Sequence, residues 1–419
     1  MEWLLTLADL SLFGASPVSA ADKARLRALY AEFGQPEIDW LAEREAITRH
    51  DVKAVEYLVR DRLEQLDLGA ITELTHFACT GDDINSAAYA ITVKRAVTRV
   101  WLPSLLAVIE SLKALAASHR DTAMLSRTHG QPATPTTMGK EIAVFAWRLQ
   151  RVAKQIEASE YVAKFSGATG TWSAHLVAGP DVDWLALCRK FIESLEVGFN
   201  PLTTQIESHD WQVELYDRLR HAGGVLHNLA TDMWSYFSMG YFAQIPVAGA
   251  TGSSTMPHKI NPIRFENAEA NLEISGGLFC TLAQTLVTSR LQRDLTDSTT
   301  QRNIGVAFGH SLLALDNLQR GLGEIFLAEE VLRADLDANW EVLAEAIQTV
   351  VRAEIVAGRS RITDPYALLK DFTRGRSVGA AELAEFVRGL DIGDVAKERL
   401  LALTPSTYTG LAPAVVSEL

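Results

Sequence analysis

Apolar residues recur every three to four positions along most of this 419-residue chain, and that spacing predicts long amphipathic helices. One run begins at Trp101, with Pro103 tolerated in its first turn. A second begins at Met138, behind the candidate N-cap residues Thr136 and Thr137. No segment shows a convincing period-two alternation with a hairpin turn, so we expect an all-α fold. Three more long runs begin near Asp210, Ile263 and Gln301.

Several of these helices are about 25 residues or longer, which is typical of a helix bundle. These helices carry more apolar surface than one thin bundle is able to bury, so we expect several subunits to bury it together in an oligomer. A monomeric bundle with larger capping domains is the alternative. Shorter helices precede about residue 84 and follow about residue 330. We therefore predict a small N-terminal helical domain (1–84), a central long-helix bundle (85–328) and a small C-terminal helical domain (329–419).

The charge balance narrows the class of partner. The formal net charge is −13, which argues against broad binding to nucleic acid or to an anionic membrane. A local basic pocket for a small anionic substrate remains compatible with it.

Cysteine usage and the N-terminal stretch bear on the compartment. The three cysteines form no CxxC pair or even framework, which favours a reducing compartment. The apolar N-terminal stretch carries Glu2 and Asp9 and no positive residue before Lys23, the wrong polarity for a secretory signal. No stretch looks long and apolar enough to span a membrane. We expect a cytoplasmic protein.

Five polar stretches interrupt the helical pattern and hold the residues capable of chemistry. They are Thr48–Glu56, His76–Asn85, Ser126–Glu141, Gly252–Pro262 and Ser289–Asn303.

His129 lies in a Thr-His-Gly-Gln-Pro turn. A histidine with an ordinary pKa in such a turn can act as a general acid or base, and a surface or capping histidine is the alternative.

The stretch Gly252–Pro262 reads GSSTMPHKINP. Lys259, loop N–H groups and a helix beginning near Pro262 are able to stabilise a serine alkoxide or an anion, and Asn261 is able to bind a carboxylate. A solvated loop with serine capping is the alternative. The stretch lacks the G-x-S-x-G elbow of serine hydrolases.

The stretch Ser289–Asn303 combines arginines with hydroxyl side chains, which suits a phosphate or a carboxylate. Salt bridges from its arginines to Asp294 and Asp297 at i,i+4 spacing are the commoner use of such residues. The sequence holds no HExxH zinc motif and no dinucleotide fingerprint after a strand.

The GSSTMPHKINP stretch resembles the GSSxMPxKxNP signature loop of the fumarase/aspartase superfamily. Within it, the stretches RHDVKAVE, HFACT, SRTHGQPATP, TTQIESHD and RDLTDSTTQRN resemble the adenylosuccinate lyase family. The resemblance covers nearly the whole chain. It implies an all-α, three-domain fold whose central bundles merge in a homotetramer with shared active sites. It also implies β-elimination of fumarate from succinylated purine intermediates, without a metal or cofactor.

The resemblance implies roles for single residues. Ser253 would be the catalytic base and His129 the catalytic acid, with Lys259 and Asn261 stabilising the aci-carboxylate intermediate. His50 and His76 would orient the substrate and the acid. Substrate contacts are expected at Arg49, His50, Asp51, His76, Thr80, Gly81, Gln205, Met256, Lys259, Asn261, Arg293, Ser298 and Arg302.

Two departures from the family pattern stand out. Gly81 occupies a position where the family usually has serine, so we expect one hydroxyl contact to be lost. Bacterial relatives carry an Arg-Tyr pair in a longer leader, whereas this chain begins at MEWLLTLADL without one, so we expect a truncated start, weaker phosphate binding or a substitute residue.

Two other functions stay open on the sequence alone. One is a 3-carboxy-cis,cis-muconate cycloisomerase-like enzyme of the same superfamily. The arginine- and serine-containing stretch favours the nucleotide lyase, since a muconate has no phosphate. The other is a non-catalytic structural relative, which would be expected to have lost Ser253 or His129.

Overall fold

The computed structural model describes residues 1–246, 255–256, 259–375 and 378–419. The chain is mainly α-helical, which confirms the all-α prediction. It divides into two compact units, each assembled from separate segments. Unit 1 comprises Met1–Thr98, Ser159–Leu215 and Leu282–Arg302, and unit 2 comprises Arg99–Ala158, Tyr216–Thr281 and Asn303–Leu419. The three-domain division at residues 84 and 328 stays a prediction.

The α-helices range in length from four residues to 29 residues. In chain order they are α1 (Glu2–Asp9), α2 (Ala20–Ala31), α3 (Gln35–Thr48), α4 (Asp51–Gln65), α5 (Gly81–Ala96), α6 (Leu102–Ser118), α7 (Met138–Glu157), α8 (Ser173–Ala178), α9 (Trp184–Ser194), α10 (Asp210–Ser238), α11 (Ile263–Leu286), α12 (Thr296–Gln301), α13 (Ile304–Gly323), α14 (Glu329–Asp337), α15 (Ala344–Val356), α16 (Pro365–Thr373), α17 (Ala380–Gly389), α18 (Asp394–Leu401) and α19 (Ala412–Val415). Short 3₁₀ helices include Gly69–Leu74 and Trp340–Leu343.

The long helices begin where the apolar periodicity predicts them. Pro103 is the second residue of α6 and follows the π-helical turn Val97–Trp101, which joins α5 to α6. Because the helix continues on both sides, the missing N–H of Pro103 removes an internal helical hydrogen bond, and the wider π-helical turn lies at that point. The Thr137 hydroxyl caps α7 by accepting the Lys140 N–H at 3.2 Å. Ile142 and Leu149 of α7 are buried, as expected for its apolar stripe.

The helical stretch Gly81–Ser118 is long and apolar enough to cross a membrane by length and composition alone, contrary to the expectation from sequence. Its Trp101, Leu105 and Leu112 side chains are buried inside the protein. A core helix passes the same test, so this stretch is weak evidence for a membrane span.

The prediction that no hairpin is present was wrong for the stretch around His129. Strand β1 (Ala123–Thr128) pairs antiparallel with β2 (Gln131–Thr137). His129 and Gly130 form the two-residue turn with φ of 53° and 75°, the left-handed pair that a type I′ turn requires. Pro132 faces Arg127 in a pair that makes no inter-strand hydrogen bonds, so its missing N–H lies on the outer edge. Pro132 and Pro135 masked the strand signal, because proline is depleted in strands.

The other strand pairs are very short. Strand β3 (Val162–Ala163) runs parallel to β4 (Gly198–Phe199), and β5 (Phe242–Gln244) runs antiparallel to β6 (Ile325–Leu327).

Each unit has its own apolar packing. In unit 1 the Trp3 ring lies 4.5 Å from that of Phe165 and 5.1 Å from that of Phe191. In unit 2 the facing sides of α6 and α7 are buried. A separate cluster between Leu343 and Leu400 packs the last helices together.

A buried ion pair organises unit 1. Asp83 of α5 and Lys164 lie 2.8 Å apart with neither side chain exposed to solvent. The Asp83 carboxylate also accepts the N–H groups of Thr80 at 2.8 Å, Ser166 at 2.8 Å and Gly167 at 3.1 Å. These bonds satisfy backbone donors that burial would otherwise leave unpaired.

The ammonium group of Lys164 completes the same network. It donates to the carbonyl of Gly167 at 3.2 Å and to that of Gln205 at 2.6 Å. The pair therefore connects the start of α5, the segment after β3 and the segment before α10.

Replacing Lys164 with methionine should destabilise the fold strongly, because it leaves the Asp83 charge buried without its cation. We expect a loss of about 3–5 kcal/mol in the free energy of unfolding, measured by urea denaturation. Asp316→Asn is the matched control, since Asp316 and Arg320 form an exposed pair along α13 and such a pair contributes less than about 0.5 kcal/mol. Equal losses for the two variants would contradict the organising role of the buried pair.

Candidate active site

A small cavity in unit 1 gathers several of the predicted site residues. Its volume is about 70 Å³, room for about two water molecules or one small anionic group. Three predicted substrate-contact residues from separate parts of the chain line it: Asp51, Ser298 and Arg302. Other lining residues are Asp82, Asn85, Tyr89, Glu207, His209, Gln212, Asp297 and Gln301.

The arginines of the polar stretch around α12 differ in their partners. Arg290 is largely exposed and pairs with Asp294 at 3.0 Å, which is the structural alternative left open by the sequence. Arg302 makes no ion pair with any residue that the structure describes, so its guanidinium is available to an anion at the cavity.

Arg293 is held by two carboxylates. Its Nη1 lies 2.7 Å from Asp82 and 3.6 Å from Asp297. Burial raises the pKa of the Asp82 carboxyl, while the nearby Arg293 charge opposes that rise. The i,i+4 contact to Asp297 is thus present together with a second contact to α5, and Arg293 is fixed beside the cavity.

The start of α4 presents three predicted residues to solvent. Arg49 is exposed, with left-handed φ of 52°. The Nδ1 of His50 accepts the Lys53 N–H at 3.2 Å as the helix cap. The proton of a neutral His50 ring therefore lies on Nε2, which is able to donate to a ligand. Asp51 follows as the first residue of α4.

The start of α5 holds the next group. His76 is half-buried in the turn after the 3₁₀ helix at Gly69–Leu74. Thr80 is the N-cap of α5 and Gly81 is its first residue, so both lie at the positive end of the helix dipole. A Cβ on Gly81 would make only ordinary contact, 3.5 Å from a Val52 methyl group.

Gln205 belongs to the network of Lys164. Its backbone carbonyl accepts from Lys164, and its side-chain Nε2 donates to the carbonyl of Ala168 at 2.8 Å. These two hydrogen bonds fix both the backbone and the side chain of Gln205.

Unit 2 carries the other predicted residues. His129 is exposed at the tip of the β1–β2 hairpin. Met256 and Lys259 are exposed, and the Lys259 N–H donates to the Met256 carbonyl at 3.0 Å. Asn261 is half-buried two residues before α11. Ser253, the predicted base, lies outside the described residues.

A larger cavity of about 720 Å³ lies in unit 2 beside the hairpin. Gly130, the neighbour of His129, lines it together with Glu141 and Asp232. Burial raises the pKa of the Asp232 carboxyl, and the Glu141 charge adds to that rise. Among the described residues, no group of three or more His, Cys, Asp or Glu side chains is arranged to hold a metal ion.

The sequence analysis missed residues that hold the predicted ones in place. Lys164 stands in an apolar stretch and its partner Asp83 lies far away along the chain, so no local pattern links them. The spacing from Thr80 to Asp83 is that of a helix capping box and marks Asp83 as a cap. His209 occurs in the resembling stretch TTQIESHD, but nothing in the sequence connects it to Asp297.

Comparison with protein families supports one assignment along the whole chain. Residues 9–273 match the family model described as "Lyase", and residues 289–409 match "Adenylosuccinate lyase C-terminal".

Solved structures show the same fold. A fumarate lyase from Mesorhizobium sp. BNC1 superimposes with a TM-score of 0.78 at 22% identity, covering 100% of this chain and 92% of that one. A 3-carboxy-cis,cis-muconate lactonizing enzyme from Pseudomonas putida gives a TM-score of 0.76 at 21% identity, covering 100% of this chain and 91% of that one. These likenesses confirm the fumarase/aspartase type of fold and, at such identities, nothing finer.

Curated relatives are much more similar in sequence. The adenylosuccinate lyase of Legionella pneumophila (strain Corby) is 45% identical over 99% of this chain and 90% of its own length. The adenylosuccinate lyases of Vibrio cholerae and Escherichia coli K12 are 44% and 43% identical, each over 100% of this chain and 91% of the relative. With both halves of the chain matched and such identity along its full length, the chain belongs to the adenylosuccinate lyase family.

Proposed function

We propose that this protein cleaves adenylosuccinate to AMP and fumarate. We propose the same elimination on succinylaminoimidazole carboxamide ribotide (SAICAR), which gives the carboxamide ribotide (AICAR), so that both reactions serve purine biosynthesis. The observation that carries the proposal is the 45% identity over 99% of the chain to an adenylosuccinate lyase. The cavity lined by Asp51, Ser298 and Arg302 supports it.

The elimination breaks one C–H bond and one C–N bond of the succinyl group and forms the double bond of fumarate. Ser253 would take the proton as an alkoxide. The electron pair of the C–H bond passes through an aci-carboxylate and becomes the double bond as the C–N bond breaks. His129 would protonate the departing nitrogen.

The aci-carboxylate carries extra negative charge, which the start of α11 is suited to stabilise. Helix α11 is 24 residues long and begins at Ile263, so its N-terminus carries a partial positive charge. Lys259 and Asn261 precede that terminus and would add an ammonium charge and an amide donor. Met256 would contact the substrate from the same loop.

The residues of unit 1 would bind the substrate. Arg302 makes no ion pair with a carboxylate among the described residues and would pair with a phosphate or carboxylate of the substrate, assisted by the Ser298 hydroxyl. The remaining contacts would come from the starts of α4 and α5 and the segment before α10. They are Arg49, His50, Asp51, His76, Thr80, Gly81, Gln205 and Arg293.

A homotetramer with shared sites would account for the apolar surface of the long helices in unit 2. Trp147 on α7 is 48% exposed and Trp234 on α10 is 45% exposed, while Ile274 and Leu313 are about half exposed. Tryptophan is enriched at subunit interfaces, and the interfaces of homo-oligomers are more apolar than the rest of the surface. Association through these helices would cover them.

The three cysteines support a reducing, cytoplasmic setting. Cys79, Cys188 and Cys280 are all free. Burial raises the pKa of the Cys79 and Cys188 thiols to about 12, so neither is a reactive thiolate at neutral pH.

Purified protein should deplete adenylosuccinate in an ultraviolet assay and leave 3-carboxy-cis,cis-muconate unchanged. Ser253→Ala should lower kcat by about 10²–10⁴-fold, because general-base catalysis contributes that much, while oligomer mass stays that of the parent. Turnover of the muconate alone would support the cycloisomerase alternative, and turnover of neither compound would support a non-catalytic relative. Undiminished turnover by Ser253→Ala would remove that residue from the mechanism.

Mixing inactive His129→Ala and Ser253→Ala proteins should restore part of the activity after subunit exchange. If a site takes its acid and base from different subunits, random mixing leaves both groups intact in about a quarter of the sites. Native mass spectrometry verifies the exchange. No recovery in verified mixed oligomers would show that one subunit supplies both residues.

Gly81→Ser should fold normally and bind substrate at least as well as the parent, because its Cβ has room and its hydroxyl would lie at the start of α5. We expect a change within about 0.5 kcal/mol in the free energy of unfolding and an equal or lower KM. Gly139→Ser is the control, since a Cβ there would lie 2.4 Å from the Ala116 carbonyl oxygen. A raised KM for Gly81→Ser would show that the site requires glycine.

A further inference from the structure

His209 is buried in an unusual backbone position beside the unit 1 cavity. It is 6% exposed and immediately precedes α10 with left-handed φ of 64°, a conformation uncommon outside glycine. Its backbone N–H donates to the Glu207 carboxylate at 2.8 Å. Glu207 in turn accepts from the Asn200 amide at 2.9 Å. These bonds hold the strained residue and aim its ring at the cavity wall.

The neighbours of the His209 ring define which nitrogen carries the proton. The Gln301 side-chain amide nitrogen lies 3.4 Å from His209 Nδ1 and 3.3 Å from the Gln212 side-chain oxygen. An amide nitrogen is a donor, so Nδ1 accepts and the proton of the neutral ring lies on Nε2. That Nε2 lies 3.4 Å from Asp297 Oδ2. His209 therefore donates to Asp297.

Asp297 links His209 to two predicted substrate-contact residues, Ser298 and Arg293. Its Oδ1 accepts the Ser298 N–H at 2.6 Å, and its Oδ2 lies 3.6 Å from Arg293 Nη1. Burial raises the pKa of the Asp297 carboxyl, but the hydrogen bond from His209 and the Arg293 charge outweigh burial and leave the pKa lowered. The carboxylate is therefore charged at neutral pH and able to orient both groups.

Arg293 lies between two carboxylates. The closest contact to each is made by its Nη1, which lies 2.7 Å from Asp82 and 3.6 Å from Asp297. These ion pairs hold the charged end of Arg293 beside the cavity, and a guanidinium has further N–H donors that are able to bind an anionic ligand.

We propose that His209 is a positioning residue of the active site. It acts through Asp297, which holds the Arg293 guanidinium and the Ser298 backbone so that both face an anionic group of the substrate, a phosphate or a carboxylate. The proposal rests on the proposed function, since it assigns Arg293 and Ser298 to substrate binding. A lost contact of this kind weakens substrate binding and leaves the proton transfers intact.

The test compares two replacements of His209 by steady-state kinetics with adenylosuccinate. His209→Phe fills the space and removes the donor, and we expect KM to rise about tenfold with kcat within about twofold of the parent. His209→Gln places an amide N–H near the former Nε2 and should return KM to within about threefold of the parent. His175→Phe is the control, because His175 is also fully buried in unit 1 and neither ring nitrogen has a hydrogen-bond partner among the described residues.

A double-mutant cycle tests whether His209 acts through Asp297. Asp297→Asn alone should raise KM by at least as much as His209→Phe, and the double variant should be no worse than Asp297→Asn alone, because both changes break one connection. Additive increases in KM, or an unchanged KM in folded His209→Phe, would overturn the proposal. So would a failure of His209→Gln to recover affinity while it folds like the parent.

A crystal structure of His209→Phe separates this inference from the proposed function. We expect the Arg293 side chain to leave Asp297 and the backbone at Ser298 to shift. If Arg293 and Ser298 keep their positions, the positioning role is wrong whatever the enzyme turns over. If the parent protein shows no turnover of adenylosuccinate, the proposed function fails, and the crystallographic result still decides whether His209 sets the position of Arg293.

Discussion

The buried ion pair between Asp83 and Lys164 is the constraint on which the arrangement of unit 1 depends. The two side chains neutralise each other without water and also satisfy the backbone of three separate segments. The attraction between the two charges alone could be replaced by an apolar pair of equal volume at little cost in stability. Such a pair would, however, leave the buried N–H and carbonyl groups without hydrogen-bond partners, and that loss is costly. The pair therefore specifies a geometry: the Thr80 cap and the Gln205 backbone are fixed by one pair of charges.

The site beside that network is built from carboxylates that each hold a basic or polar group. Asp82 and Asp297 form ion pairs with Arg293, and the Glu207 carboxylate accepts a hydrogen bond from the strained backbone at His209. The carboxylates of the lining thus largely have internal partners, whereas Arg302 of the same lining makes no ion pair with a described residue. This division explains how an acidic protein is able to present a local site for an anion.

The sequence predicted what local spacing encodes. Apolar periodicity located the long helices, and the capping threonine before α7 was found because caps act within one turn. The hairpin at His129 escaped prediction because its strands carry prolines, a β-bulge and few alternating apolar residues. Lys164, the partner of Asp83, and His209, the partner of Asp297, also escaped prediction. The two residues of each pair are far apart in the sequence and meet only after folding. The resemblance to a family predicted the site residues, whereas the contacts that hold them in place form between segments that are distant in the sequence.

The placement of Pro132 on the outer edge of the hairpin has a consequence for how the protein behaves at high concentration. A projecting two-stranded ribbon exposes free edges, and such edges invite strands from other molecules to join them. Pro132 removes a donor where an incoming strand would have to bond, and the register shift opposite Met124–Ser126 places an extra residue between Ala133 and Thr136 of the same strand. The outer edge of β2, the strand that follows His129, is therefore a poor template for intermolecular sheet growth.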